Sequence, residues 1–181
     1  MRVLLPLLLL AALAACQKDP IEVRIEPKED PSAAGTASPA RPEGLRWTTP
    51  PGWREIAGSG MRVASFAPPE AEGKAEVTVV ALPGDVGGEL ANVNRWRGQL
   101  ALPPVAEADL PPARATVRTA LGALSVYDFS GPGEKKTRLV AGMIRVSGTT
   151  WFFKLMGDEK AVAAAKPAFL RLLEGLKSDA A

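Results

Sequence analysis

Between Ala115 and Gly157 four β-rich segments follow one another, joined by links too short to hold a crossover helix: ATVRT (115–119), LGALSVYDFS (121–130), TRLVAGMIRV (137–146) and TWFFKLMG (150–157). Parallel neighbours need a connection of about a dozen residues or more, whereas antiparallel ones need only a tight turn. This half of the chain is therefore committed to an antiparallel sheet. Ser147-Gly148-Thr149 reads as a hairpin turn in which Gly148 supplies positive φ. In Trp151-Phe152-Phe153 the side chains alternate, so Trp151 and Phe153 share one face and Phe152 takes the other. Upstream, RVASFA (62–67) alternates and AEVTVVAL (75–82) is β-branched and apolar, and both read as strands.

Two helices complete the pattern. Residues 88–101 have helical spacing, and PPVAEADLPP (103–112) is a proline-bounded connection with room for one helical turn. Asp158 is placed to cap a closing helix with apolar residues Val162, Ala165, Phe169, Leu172, Leu173 and Leu176. Pro167 interrupts it, which predicts either a kink or a second helix with proline in its first turn. The order of strands, helix, strands, helix gives an α+β fold: an antiparallel sheet of about six strands sandwiched by two main helices. Residues 47–178 form that single domain, about 130 residues being a normal size for one core.

Pro51-Gly52-Trp53 ahead of the first hairpin, the strand pair leading into a long helix, the later meander with Tyr127 and the closing amphipathic helix resemble the PsbP-like superfamily. That group includes the photosystem subunit PsbP and bacterial DcrB-type lipoproteins, and the resemblance spans most of residues 47–177. It implies a PsbP-like layered sandwich, a binding or assembly role and no shared catalytic residues. The glycine-rich stretch 82–100 is more similar to uncharacterised bacterial lipoproteins than to PsbP.

The chain begins MRVLLPLLLLAALAAC, with Arg2 ahead of an apolar run from Val3 to Ala15. Such a run is too short for a membrane span and suits a signal-peptide core (1–15). Leu13-Ala14-Ala15-Cys16 resembles the lipobox of bacterial lipoproteins, in which the cysteine is acylated and becomes the first mature residue; the alternative is an ordinary secretory signal ending in a chance cysteine. Two or three acyl chains would hold the protein at a membrane, each buried methylene being worth about 0.8 kcal/mol. Gln17 is not the aspartate that retains lipoproteins in the inner membrane of enteric bacteria, which favours the outer membrane. Residues 16–46 mix charges of both signs with Pro, Ser, Ala and Gly and read as a lipidated cysteine followed by a surface tether. Its reach as a coil is on the order of 30 Å. Within it, IEVRI (21–25) alternates like a short strand without an obvious partner.

Composition removes several function classes. The chain contains no histidine, so the commonest general base, the serine–histidine triads and the usual zinc and copper ligands are missing. Cys16 is the sole cysteine, so no intramolecular disulfide forms and, once it is acylated, no thiol remains for catalysis. Twenty-two Lys and Arg face 20 Asp and Glu, and loss of Arg2 brings the first count to 21. That near balance gives no case for nucleic acid as a partner. No cofactor motif is present. The expected partners are the membrane, through lipid on Cys16, and an envelope protein.

LPGDVGGELANVNRWRGQL (82–100) is the stretch most like a site. It matches neither the phosphate-binding loop nor the dinucleotide-binding turn in spacing, and Asp85 would repel phosphate. It reads as a strand-to-helix turn with Gly87 or Gly88 near the N-cap. On the helix, Leu90, Val93, Trp96 and Leu100 share an arc of about 120°, while Asn92, Arg95 and Gln99 form a polar stripe expected to be solvated. Arg97 falls inside the apolar arc and must find a partner or reach solvent. It either pins the helix to a neighbouring loop or stands at the rim of a cleft, with Asn94 and Asp85 beside it as ligand- or partner-binding candidates. A binding module without catalysis is the reading these features favour. The alternative is a histidine-independent envelope hydrolase using carboxylates or a Ser/Lys pair near 82–100.

Overall fold

The computed structural model describes residues 44–179. Cys16, the lipobox, the signal segment and most of the tether lie outside the described residues. Nine strands and three helices follow in order: β1 (Leu45–Arg46), β2 (Arg54–Ala57), β3 (Arg62–Ala67), β4 (Ala75–Pro83), α1 (Gly88–Gln99), α2 (Leu110–Ala113), β5 (Ala115–Thr119), β6 (Gly122–Ser130), β7 (Thr137–Val146), β8 (Thr149–Asp158), α3 (Glu159–Glu174) and β9 (Lys177–Ser178). A 3₁₀ turn at Glu107–Asp109 precedes α2.

Strands β2 to β8 form one sheet in the order β2-β3-β4-β8-β7-β6-β5, and every pairing is antiparallel. The fold is α+β, with seven strands where the sequence suggested about six. The additional strand is β2, whose four residues REIA carry too little apolar pattern to announce themselves. Long β4, β7 and β8 occupy the middle, where both faces are covered, which accounts for their nearly continuous apolar runs. Val146 pairs with Thr149, so the β7–β8 turn is Ser147-Gly148, with φ of 48° and 78°. Both central residues thus have positive φ, the mirror-image turn whose twist matches its strands.

The two faces carry separate cores. On one, α3 lays Val162, Ala165, Phe169, Leu172 and Leu173 against Val77, Val79, Val140, Trp151, Phe153 and Leu155. On the other, Val93 and Trp96 of α1 and its C-cap Leu100 pack with Leu110 against Tyr127, Phe129, Leu139, Ala141 and Phe152. Trp151 and Phe153 therefore separate from Phe152 as the alternation requires. Trp96 sits edge-on to Phe152, with centroids 6.3 Å apart and planes at 79°, an arrangement that suits the ring quadrupoles.

Helix α3 runs unbroken through Pro167. Asp158 occupies its N-cap position without bonding the helix, because its Oδ2 accepts from the Lys74 backbone N–H at 2.8 Å and so ties β4 to β8. At the ends of the domain, Leu45 pairs with Ser178 and Arg46 with Lys177. Asp179 closes the clasp, accepting from Gly44 N at 3.1 Å and Arg46 Nε at 2.5 Å. Gly44, Leu45 and Arg46, which the sequence assigned to the tether, thus belong to the folded unit, and Leu45 is fully buried.

Candidate functional site

The glycine-rich turn folds as its composition requires. Gly84, Gly87 and Gly88 have φ of 79°, 78° and 70°, values open to glycine at little cost, and Gly87 is the N-cap of α1. Asp85 turns inward on this loop, its Oδ1 accepting from Gly88 N at 3.3 Å. Asn94 clasps the following connection with both ends of its amide, donating to Val105 O at 3.0 Å and accepting from Val105 N at 2.8 Å. Arg97 donates from Nε to Pro103 O at 2.8 Å while its guanidinium lies 5.2 Å from the centre of the Phe129 ring. The cation inside the apolar arc thus meets an aromatic face and a carbonyl, and Asn94 and Arg97 hold the same 103–105 segment.

Asn92 departs from the polar stripe. It is buried, donating to Val86 O at 2.8 Å and Gly88 O at 2.6 Å and accepting from Arg95 at 2.6 Å. The wheel places it only about 40° from Trp96, at the margin of the apolar arc. The signal that could have exposed it is the turn itself, whose part-buried Val86 and Gly88 carbonyls need a donor.

The residues brought together on the α1 face are others. Cross-strand register puts Thr78 opposite Lys154 and Val80 opposite Phe152. Arg95, Trp96 and Gln99 of α1 lean over these pairs, Arg95 and Gln99 being one turn apart on the same side. Together they line a cleft of about 220 Å³ whose floor also includes Leu82. Lys154 Nζ donates to Gln99 Oε1 at 3.0 Å, and Arg95 lies over the Phe152 ring at 5.5 Å. Among the described residues neither cation has a carboxylate in salt-bridge contact. Burial pushes the Lys154 ammonium below its ordinary range, and the charges of Arg62 and Arg95 push it further, against the pull of Glu76. Glu76 is itself held by Arg62 at 2.8 Å.

The carboxylates are differently placed. Glu89 is engaged at both oxygens, by the buried Tyr127 hydroxyl at 2.8 Å and by Arg114 at 2.5 Å. Burial pushes the Tyr127 phenol up; the Arg114 hydrogen bond opposes this and Glu89 adds to it, so tyrosine stays the neutral donor. Glu89 and Asp85 share a second, shallow depression with Ser125, Arg145 and Thr150. On the opposite face, Asp128 receives a two-pronged contact from Arg138 at 2.8 and 2.6 Å and a third from Lys166 at 2.7 Å. Burial raises its carboxyl, but the hydrogen bonds from Arg138 and Lys166 outweigh that and hold it below the usual range. Among the described residues no three His, Cys, Asp or Glu side chains converge on a metal position, and no helix is long and apolar enough to cross a membrane.

No family model matches the chain, and neither does any curated protein. Solved structures do. PsbP from Synechocystis sp. PCC 6803 (CyanoP) is 12% identical over 80% of this chain and 98% of its own, with a TM-score of 0.48. LpqN of Mycobacterium tuberculosis, described as involved in cell envelope biogenesis, is 14% identical over 72% of this chain and 79% of its own, with a TM-score of 0.44. A Bacteroides thetaiotaomicron protein is 10% identical over 74% of this chain, which spans 44% of that longer protein, with a TM-score of 0.47. At these scores the functional reading rests on the chemistry of the cleft rather than on likeness.

Proposed function

We propose that this protein is an envelope lipoprotein, anchored through lipid on Cys16, whose α+β domain is a non-enzymatic binding module working through the α1 face of its sheet. One observation carries the binding half of this reading: a cleft with an apolar floor and two cations, Arg95 and Lys154, that no described carboxylate pairs. Sites that hold small ligands combine an apolar lining with a few fixed polar groups in this way. The lipobox carries the anchoring half.

Two experiments test it. Cells fed an alkyne-bearing fatty acid should label the native protein, and Cys16→Ala should abolish the label and release the chain from the membrane fraction; label that survives the substitution overturns the anchor. A photo-crosslinking residue at position 99, beside the cleft, should give a recurrent adduct in cells that the same residue at position 174, on α3, does not. Identical patterns at both positions overturn the assignment to the α1 face.

The carboxylate form of the hydrolase alternative centres on the depression shared by Asp85 and Glu89. Both Glu89 oxygens are already committed, which leaves Asp85 as its sole acid–base group there. Turnover of an envelope substrate that disappears in Asp85→Asn would establish that reading in place of the first.

A further inference from the structure

The chemistry of the α1 cleft says what kind of molecule it takes, an inference that rests on the binding reading above. Two cations flank an apolar floor, and the negative charge that would balance them is not supplied by the described residues. Glu76 stands nearby but is engaged by Arg62, which brings a third positive charge to the same side of the sheet. The lining donors are Lys154 Nζ, the Arg95 guanidinium, the Gln99 amide and the Thr78 hydroxyl, with Thr78 directly across the ladder from Lys154. Beside them Val80, Leu82, Trp96 and Phe152 offer flat apolar surface.

The geometry also limits the charge and size of the occupant. Arg95 and Gln99 belong to the C-terminal half of α1, whose carbonyl end carries partial negative charge and so disfavours a dianion more than a monoanion. The glycine turn and the N-terminus of α1 lie at the other end of the helix, so no backbone nest reaches the cleft to hold the three oxygens of a phosphate. One Arg95 nitrogen is already spent on Asn92 Oδ1 at 2.6 Å, and the ammonium of Lys154 is a point charge. Arg95 and Lys154 between them suffice for the two oxygens of a carboxylate. At about 220 Å³ the cleft is smaller than the roughly 300–1,000 Å³ of sites for drug-sized ligands.

We propose that the α1 cleft binds a small organic carboxylate with one ring or a short chain, its anionic end on Lys154 and Arg95 and its apolar body against Phe152, Trp96 and Val80. The probes that test this are 3-phenylpropionate, its uncharged amide and acetate. They are titrated by ligand-observed NMR into the full chain held in phosphatidylcholine nanodiscs, with empty nanodiscs as reference. The carboxylate should bind about tenfold or more tightly than the amide, a charged hydrogen bond being the difference, and more tightly than acetate, which lacks the apolar body. Lys154→Met should remove the preference for acid over amide while Lys154→Arg keeps it, both variants unfolding at an unchanged temperature, and Arg95→Gln should weaken it. Equal binding of acid and amide overturns the inference and leaves a binding domain of other specificity. Retention of the preference in Lys154→Met overturns the placement. If no probe binds, the inference fails, and the crosslinking at position 99 decides the broader reading by itself.

Discussion

Asp128 shows how a single carboxylate is made structural. It projects from β6 onto the α3 face, where Arg138 of the neighbouring strand grips both oxygens and Lys166 reaches down from the helix. Because its folded pKa lies below the unfolded one, its stabilising contribution is complete above the ordinary aspartate range. It drains away as pH falls from that range through the lowered folded value. Asp128→Asn should therefore cost about 1–3 kcal/mol at neutral pH and flatten the acid side of the stability profile, read by urea unfolding at stepped pH. Lys154 makes the opposite case on the other face: a cation that burial and like charges disfavour, bonded to an amide and only partly compensated by Glu76. Asp128 has two cations within hydrogen-bond distance, whereas Lys154 has no described carboxylate in salt-bridge contact.

At the scale of elements, α3 holds a proline where a helix tolerates it badly. Pro167 lies at the middle of Glu159–Glu174 on the exposed side, so its ring touches no core and its missing N–H leaves the Ala163 carbonyl without its usual donor. Pro167→Ala should raise stability by about 1–3 kcal/mol in chemical denaturation and increase helical circular dichroism. Both main helices and six of the strands were legible in the sequence because their periodicity runs over enough residues to be unambiguous. Strand β2 was not, having four residues, nor were β1 and β9, with two each, since no period can be read from so few. The glycine turn was legible from its composition, whereas the loop that Asn94 and Arg97 hold, at Val105 and Pro103, was not. The cleft was not legible at all. It exists because β4 and β8 pair in a register that sets Thr78 against Lys154, residues far apart in the chain, and periodicity within one segment carries no information about register between two.

At the scale of the molecule, the sheet is shared by two cores that do not mix, one under α3 and one under α1. Trp47 and Leu45 extend the first core toward the N-terminal side, Trp47 meeting Phe66 at 6.1 Å and Phe153 at 6.4 Å between ring centres. If Gly44 to Arg46 are part of one cooperative unit, Leu45→Ala should cost about 2–5 kcal/mol, the usual range for emptying a fully buried leucine site. The urea midpoint should fall with the slope unchanged, since the same surface is still exposed on unfolding. A tether residue at the same position would leave the midpoint where it is.

The clasp of β1 and β9 has a mechanical consequence. Tension arriving along the N-terminal side of the chain meets the Gly44–Asp179 and Arg46–Asp179 contacts and a ladder of two residue pairs before it reaches Trp47. That short ladder is anchored in the core itself, because Leu45 of β1 is buried among the residues under α3. Parting it would draw a fully buried leucine out of that core, so resistance to a pull on the N-terminal side and stability of the fold are coupled at this end of the domain.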